Sequence, residues 1–197
     1  HGTQPQQVVL GLPRRLMIWR FLDLPLVPRE DLEQMLPYEL ERHLPFPVRD
    51  AQFDFQILSK GENGRQKVLL VAIQREKLEQ FMELLELAGL RPDIVDVTCL
   101  ATCNALIYRK KVLPEEVWAL LDLCNHQLEV SILREGALEY SRSIHLSEAS
   151  PWIEQVKQEW KVIQHHLSPQ GNSQGNFPTV SQIFLSGLGA TEESCLS

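Results

Sequence analysis

Residues 68–97 read VLLVAIQREKLEQFMELLELAGLRPDIVDV, and the reading of this stretch decides the fold. Its opening, with Lys67 included (KVLLVAI, 67–73), is almost wholly apolar over a strand-sized length, as a central strand covered on both faces requires. From Arg75 the period changes. Leu78, Phe81, Met82, Leu85 and Ala88 recur at spacings of three and four, which places them in one stripe of a helix over 75–88. Gly89 stands where a helix C-cap needs positive φ, and Pro92 restarts the chain as an extended segment from Ile94 to Val97. Strand, helix and strand in such quick succession predict a mixed fold, α+β or α/β.

Upstream, Phe53, Phe55 and Ile57 alternate with Gln52, Asp54 and Gln56, the period of two expected of a sheet with one wet face. KGENG (60–64) turns the chain, so 51–58 and 67–73 form a hairpin. Leu16 to Leu22 reads as a further strand, stopped by Pro25 and Pro28, which withhold ladder donors. Leu32, Met35, Leu36, Leu40 and Leu44 then share one face of a helix over 29–44. Pro37 lies inside it, and an interior proline costs about 3 kcal/mol, so a kink or a late helix start is expected. LPFP (44–47) ends the helix, as packing or as the rim of a groove. Leu16 to Val97 is thus expected to form a three- or four-stranded sheet packed by the helices 29–44 and 75–88, with the Phe53, Phe55, Ile57 face buried.

Downstream, CLATCNALIYR (99–109) reads as a helix. Val117–Leu123, Leu128–Leu133 and Ala137–Ile144, the last two joined by a tight REG turn, read as a three-strand meander. Ser150 and Pro151 suit N-cap and N1 positions of a long helix carrying Ile153, Val156, Trp160, Ile163 and Leu167 on one face. SPQGNSQGNFPT (168–179) reads as a surface loop and IFLSG (183–187) as a closing strand.

Composition excludes several functions. The 197 residues carry 19 Lys and Arg against 26 Asp and Glu, a net charge of −7, so there is no broad positive field to collect nucleic acid. No apolar run approaches the roughly 18 residues needed to cross a bilayer. The four cysteines, at 99, 103, 124 and 195, form no CxxC pair, and Cys99 with Cys103 lacks a third metal ligand, so a zinc site or disulfide framework is not expected and a reducing compartment is. Ser141, Ser143 and Ser186 have no G-x-S-x-G elbow, which removes the case for a hydrolase. His165 and His166 end a helix, where an imidazole suits the negative end of the dipole. Opening at His1 without a secretory signal, the chain reads as an excised fragment.

The order of elements over Leu16–Val97, followed by a meander, a long helix and a strand ending in SGLGA, resembles the actin-like PilM family of type IV pilus assembly. LDLP (22–25), YELERHLPF (38–46), FDFQIL (53–58), the 68–97 stretch and LATCNAL (100–106) are similar to the family's small inserted subdomain and its junction. ALLDLCNHQLEVSILREGALEYSRSI (119–144) is similar to the opening hairpin of the second actin-like half. The resemblance runs from Val8 to Ala190, and GspL and FtsA share the architecture. It implies a fragment of an actin-like (RNase H-like) ATPase fold: 1–15 the end of the first half, 16–108 the inserted αβ subdomain and junction, 109–197 part of the second half.

The same resemblance implies a degenerate nucleotide site at Asp122, Gly187 and Gly189. Family members carry an Asp-x-Gly hairpin whose glycine lets backbone amides approach phosphate. Here the string is Asp122, Leu123, Cys124, Asn125, so a cysteine replaces that glycine, and the later hydroxyl position falls at Leu128 or Glu129. Read without the resemblance, Asp122 serves as well to cap a turn, and Gly187-x-Gly189 to turn a strand. No catalytic residue, metal ligand or cofactor is expected in this chain, while ATP with magnesium is an expectation for a longer parent. The implied function is a non-enzymatic adaptor, cytoplasmic and peripheral to the inner membrane, that binds the short cytoplasmic tail of a PilN-like membrane protein through a groove whose residues the sequence does not assign. A GspL-like scaffold of type II secretion and a nucleotide-binding actin-like ATPase are the alternatives. The charge of −7 argues against direct adhesion to anionic lipid.

Overall fold

A computed structural model describes residues 7–61, 63–109, 116–124, 126–167 and 180–187. The chain divides into two compact units, residues 1–98 and 99–197.

In the first unit the apolar strand β4 (Arg65–Gln74) lies between β2 (Ile18–Pro25) and β3 (Ala51–Lys60), antiparallel to both. The central place follows from composition, since only β4 has side chains that tolerate burial on both faces. The register sets Phe53 opposite Ala72, Phe55 opposite Leu70 and Ile57 opposite Val68. Helix α1 (Arg29–Glu41) lays Leu32, Leu36 and Leu40 on this face, where they close a core with Leu24, Phe55, Val68, Leu70 and Ala72. The expected alternation therefore holds, with Phe55 buried, Phe53 and Ile57 half-buried, and Gln52, Asp54 and Gln56 exposed.

Three boundaries differ from the sequence reading. α1 starts at Arg29 and continues through Pro37, so there is no late start. The penalty of the missing N–H is offset because Leu36 and Leu40, which flank the proline in the chain, are both almost completely buried, each contributing about 1.5–3 kcal/mol. The helix ends at Glu41 rather than residue 44, with the N–H groups of His43 and Leu44 both donating to the Leu40 carbonyl. Strand β2 begins at Ile18 rather than Leu16, because Arg14–Leu16 closes a 3-10 turn, and it runs on to Pro25, which an edge strand accommodates.

The sheet has three strands, not four. Ile94–Val97 (β5) pairs in parallel with Val9–Leu12 (β1), so the three-stranded unit is inserted between two parallel partners. A parallel pair needs a long crossover, and the intervening segment supplies it. Helix α2 (Arg75–Leu87) precedes β5 and ends in the expected glycine cap: Gly89 has φ of 73°, its N–H donates to the Glu86 carbonyl, and the Leu90 N–H donates to that of Leu85. Leu78, Phe81, Met82 and Leu85 of the predicted stripe are half-buried, but Ala88 is exposed.

The second unit opens with α3 (Thr98–Arg109), whose first residue still belongs to the first unit. The meander follows as β6 (Val117–Cys124), β7 (Gln127–Arg134) and β8 (Ala137–His145), with β9 (Gln182–Ser186) parallel to β6, giving the order β8-β7-β6-β9. This is the arrangement expected of an RNase H-like half. Glu135 and Gly136 carry φ of 53° and 75°, the two positive values a two-residue hairpin of the favoured twist requires. Val117, Ala119, Leu121, Val130 and Ile132 form one face of the sheet, and α4 (Trp152–Leu167) covers it with Val156, Trp160 and Ile163. Regular helix begins at Trp152, with the Pro151 carbonyl accepting from the N–H groups of Glu154 and Gln155. The expected 168–179 loop and the Leu167 side chain lie outside the described residues.

Candidate functional site

Asp122 lies near the C-terminal end of β6, the end of a parallel pair where open α/β sheets commonly bind ligands. The register aligns Ser143, Glu129, Asp122 and Ser186 in one row across all four strands, on the face opposite α4. The Ser186 hydroxyl donates to Asp122 Oδ1 at 2.8 Å. Beside this pair Gly187 takes φ of 93°, and a Cβ built on it would stand 2.1 Å from the Leu123 carbonyl oxygen and 2.8 Å from Asp122 Oδ1. The structure thus brings Asp122 and Gly187 together, whereas Gly189 lies outside the described residues.

The chemistry of this row does not suit a phosphate. Asp122 and Glu129 are direct cross-strand neighbours, Asp122 half-buried and Glu129 buried, so negative charge gathers in this row. Cys124 is exposed at the strand end. The space next to Gly187 is filled by the Leu123 carbonyl. Among the described residues no group of three His, Cys, Asp or Glu side chains is placed to hold a metal.

Below the row, α3 contributes Cys103. Burial pushes its thiol up from the usual 9.0 to about 11, a hydrogen bond with Ser131 opposes that shift, and the charge of Asp122 adds to it. A thiol in that state is protonated and unreactive at neutral pH. Cys99 is likewise buried.

A second feature escaped the sequence reading. Beside β2, an edge strand, an open depression of about 600 Å³ is lined by Arg14, Arg20, Arg42 and His43 together with Trp19 and Leu44. Arg14 holds its guanidinium carbon 5.0 Å from the centre of the Trp19 ring, and Arg20 Nη1 donates to the Trp19 carbonyl at 2.7 Å. Leu44 and Pro45 come from the LPFP string, which the sequence left open as packing or as a groove rim. Leu44 also packs against the α1 core, which bears out the packing reading. The basic residues lie far apart in sequence and meet only because the end of α1 returns beside the start of β2, so no local motif announces them.

Comparison with known proteins defines the class first. A chain of the PilM-PilN type IV pilus biogenesis complex matches with a TM-score of 0.75 at 24% identity, over 98% of this chain and 66% of that one. A Bacteroides thetaiotaomicron protein with an actin-like ATPase fold and unknown function matches at 0.52 and 11% identity, over 98% of this chain and 64% of its own. The cytoplasmic domain of EpsL, an inner membrane component of the type II secretion system of Vibrio cholerae, matches at 0.51 and 18%, over 91% and 65%. The fold is therefore actin-like, and the chain spans just under two thirds of the length of each of these structures. The family model for the type IV pilus assembly protein PilM matches residues 1–165, and the chain belongs to that family.

Proposed function

We propose that this chain forms part of a pilus-assembly adaptor that docks the short cytoplasmic tail of a PilN-like inner-membrane protein. The observation that carries this reading is the family membership, supported by the likeness to a chain of the PilM-PilN type IV pilus biogenesis complex. Among the described residues no helix is long and apolar enough to cross a membrane, so attachment through a partner is the economical arrangement. An extended tail gains affinity from main-chain hydrogen bonds at a sheet edge and from pockets for alternate side chains. The outer edges of β2 and β3 provide such places.

The adaptor role does not use the nucleotide chemistry of the fold. The paired carboxylates of Asp122 and Glu129, and Cys124 in the place of a glycine, speak for a protein that keeps the architecture without hydrolysing ATP. Titration of a labelled PilN-type tail peptide into a full-length protein containing this chain tests the docking. Saturable binding is expected, weaker in the 197-residue chain if part of the groove lies elsewhere. Absence of saturation up to about 1 mM, roughly −4 kcal/mol, would end this reading and move weight to a secretion scaffold of the EpsL type.

A further inference from the structure

We propose that the depression beside β2 is a carboxylate clamp: a pocket that takes an acidic side chain of an extended peptide laid along the strand edge, held by Arg14, Arg20 and Arg42. The proposal rests on the tail-docking reading and names the chemistry that the docked segment must bring.

Charge is the first argument. The whole chain carries −7, yet three arginines and a histidine converge on one concavity and no carboxylate lines it. Like charges gathered this way repel one another, and an anion relieves the repulsion while collecting charge-assisted hydrogen bonds. The guanidiniums are also partly ordered in advance. Arg14 rests on the Trp19 ring, and Arg20 is tied to the Trp19 carbonyl through one of its five donors, which leaves the rest of its fork for a ligand. Arg42 Nη1 lies 3.6 Å from Glu39 Oε1, a partly exposed i,i+3 pair beyond hydrogen-bond length, so the guanidinium keeps donors for a ligand.

Shape and lining decide between anions. Met17, Ile18, Leu44 and Pro45 supply an apolar floor that an isolated phosphate does not use and that a peptide does. The pocket also adjoins the outer edge of β2, where a peptide strand can extend the β2-β4-β3 sheet. Side chains of an added strand alternate between faces, so every second residue falls on the face that carries Ile18 and Arg20.

The test is a fluorescence-anisotropy titration of the full 197-residue chain with a short labelled peptide of alternating Glu and Thr, against a Lys and Thr control, inorganic phosphate and vesicles containing anionic phospholipid. The expected result is saturable binding of the acidic peptide only, weakened at least tenfold in the variant R20E/R42E and partly in R20Q/R42Q. Both arginines are exposed, and thermal melting followed by circular dichroism checks that the variants fold. Binding indifferent to these changes overturns the clamp, as does equal competition by phosphate or preferential binding to the vesicles. A PilN-type tail should displace the acidic peptide. If the tail binds the wild-type protein and R20E/R42E equally, the clamp fails and tail docking stands. If the acidic peptide behaves as expected but no tail displaces it, the clamp stands and the docking reading of this edge fails.

Discussion

At residue 187 only glycine fits. Its φ of 93° is unfavourable for any side chain, and the position a Cβ would take lies 2.1 Å from a backbone oxygen that cannot swing aside. Gly187→Ala should therefore destabilise the protein by about 3 kcal/mol or more in chemical denaturation, with no nucleotide present. A loss below about 1 kcal/mol would show that the β6 and β9 ends separate easily, and would return Gly187 to the role of a ligand-approach glycine. Cys103 offers a pH-dependent counterpart. Its folded pKa of about 11 lies above the usual 9.0, so the stability it contributes is complete below pH 9 and is lost as pH rises towards 11, by at most about 2–3 kcal/mol. Cys103→Ala should flatten that part of the decline relative to wild type, a difference that parallel urea titrations at pH 8 and pH 10.5 will measure. The family resemblance placed Asp122 and Gly187 in one degenerate site, while residue spacing alone gave each a separate turn role. Their meeting through Ser186 depends on the parallel register of β9 on β6, which no local spacing encodes.

Elements were more legible than contacts, because periodicity is a local signal and pairing is not. The apolar run at 67–73 gave the central strand, and the alternation at 53, 55 and 57 gave its neighbour with the correct face inward. What the periodicity of Ile94–Val97 does not contain is a choice of partner, and the pairing with β1 across the whole inserted unit came only from the structure. Pro37 shows the opposite failure, in which a strong local rule lost to burial. Two substitutions separate those competing terms in α1. Leu36→Ala removes a side chain with no exposed surface and should cost about 2–5 kcal/mol, since the sheet beneath cannot collapse to fill the space. Pro37→Ala restores an interior backbone donor without touching the core and should stabilise the protein, by as much as about 3 kcal/mol. A melting temperature lowered by Pro37→Ala would mean that the proline shapes the helix rather than merely being tolerated by it.

For the whole molecule the question is whether an actin-like fold implies nucleotide binding. Fold and site separate readily in evolution, since the layers that bury a core do not depend on the few atoms that meet a ligand. In the second unit the sheet β8-β7-β6-β9 carries α4 on one face, and Asp122 lies near the end of the parallel pair β6-β9. A phosphate approaching this edge meets the half-buried Asp122 carboxylate and the exposed Cys124, and the Ser186 hydroxyl already donates to Asp122. Calorimetric titration of the 197-residue chain with ATP and magnesium should accordingly yield no measurable heat of binding. A micromolar dissociation constant, about −8 kcal/mol, would contradict the expectation that the lost glycine at Cys124 weakens nucleotide binding. It would mean that the site lies on other parts of the chain, and the adaptor would then have to be reconsidered as a nucleotide-controlled switch.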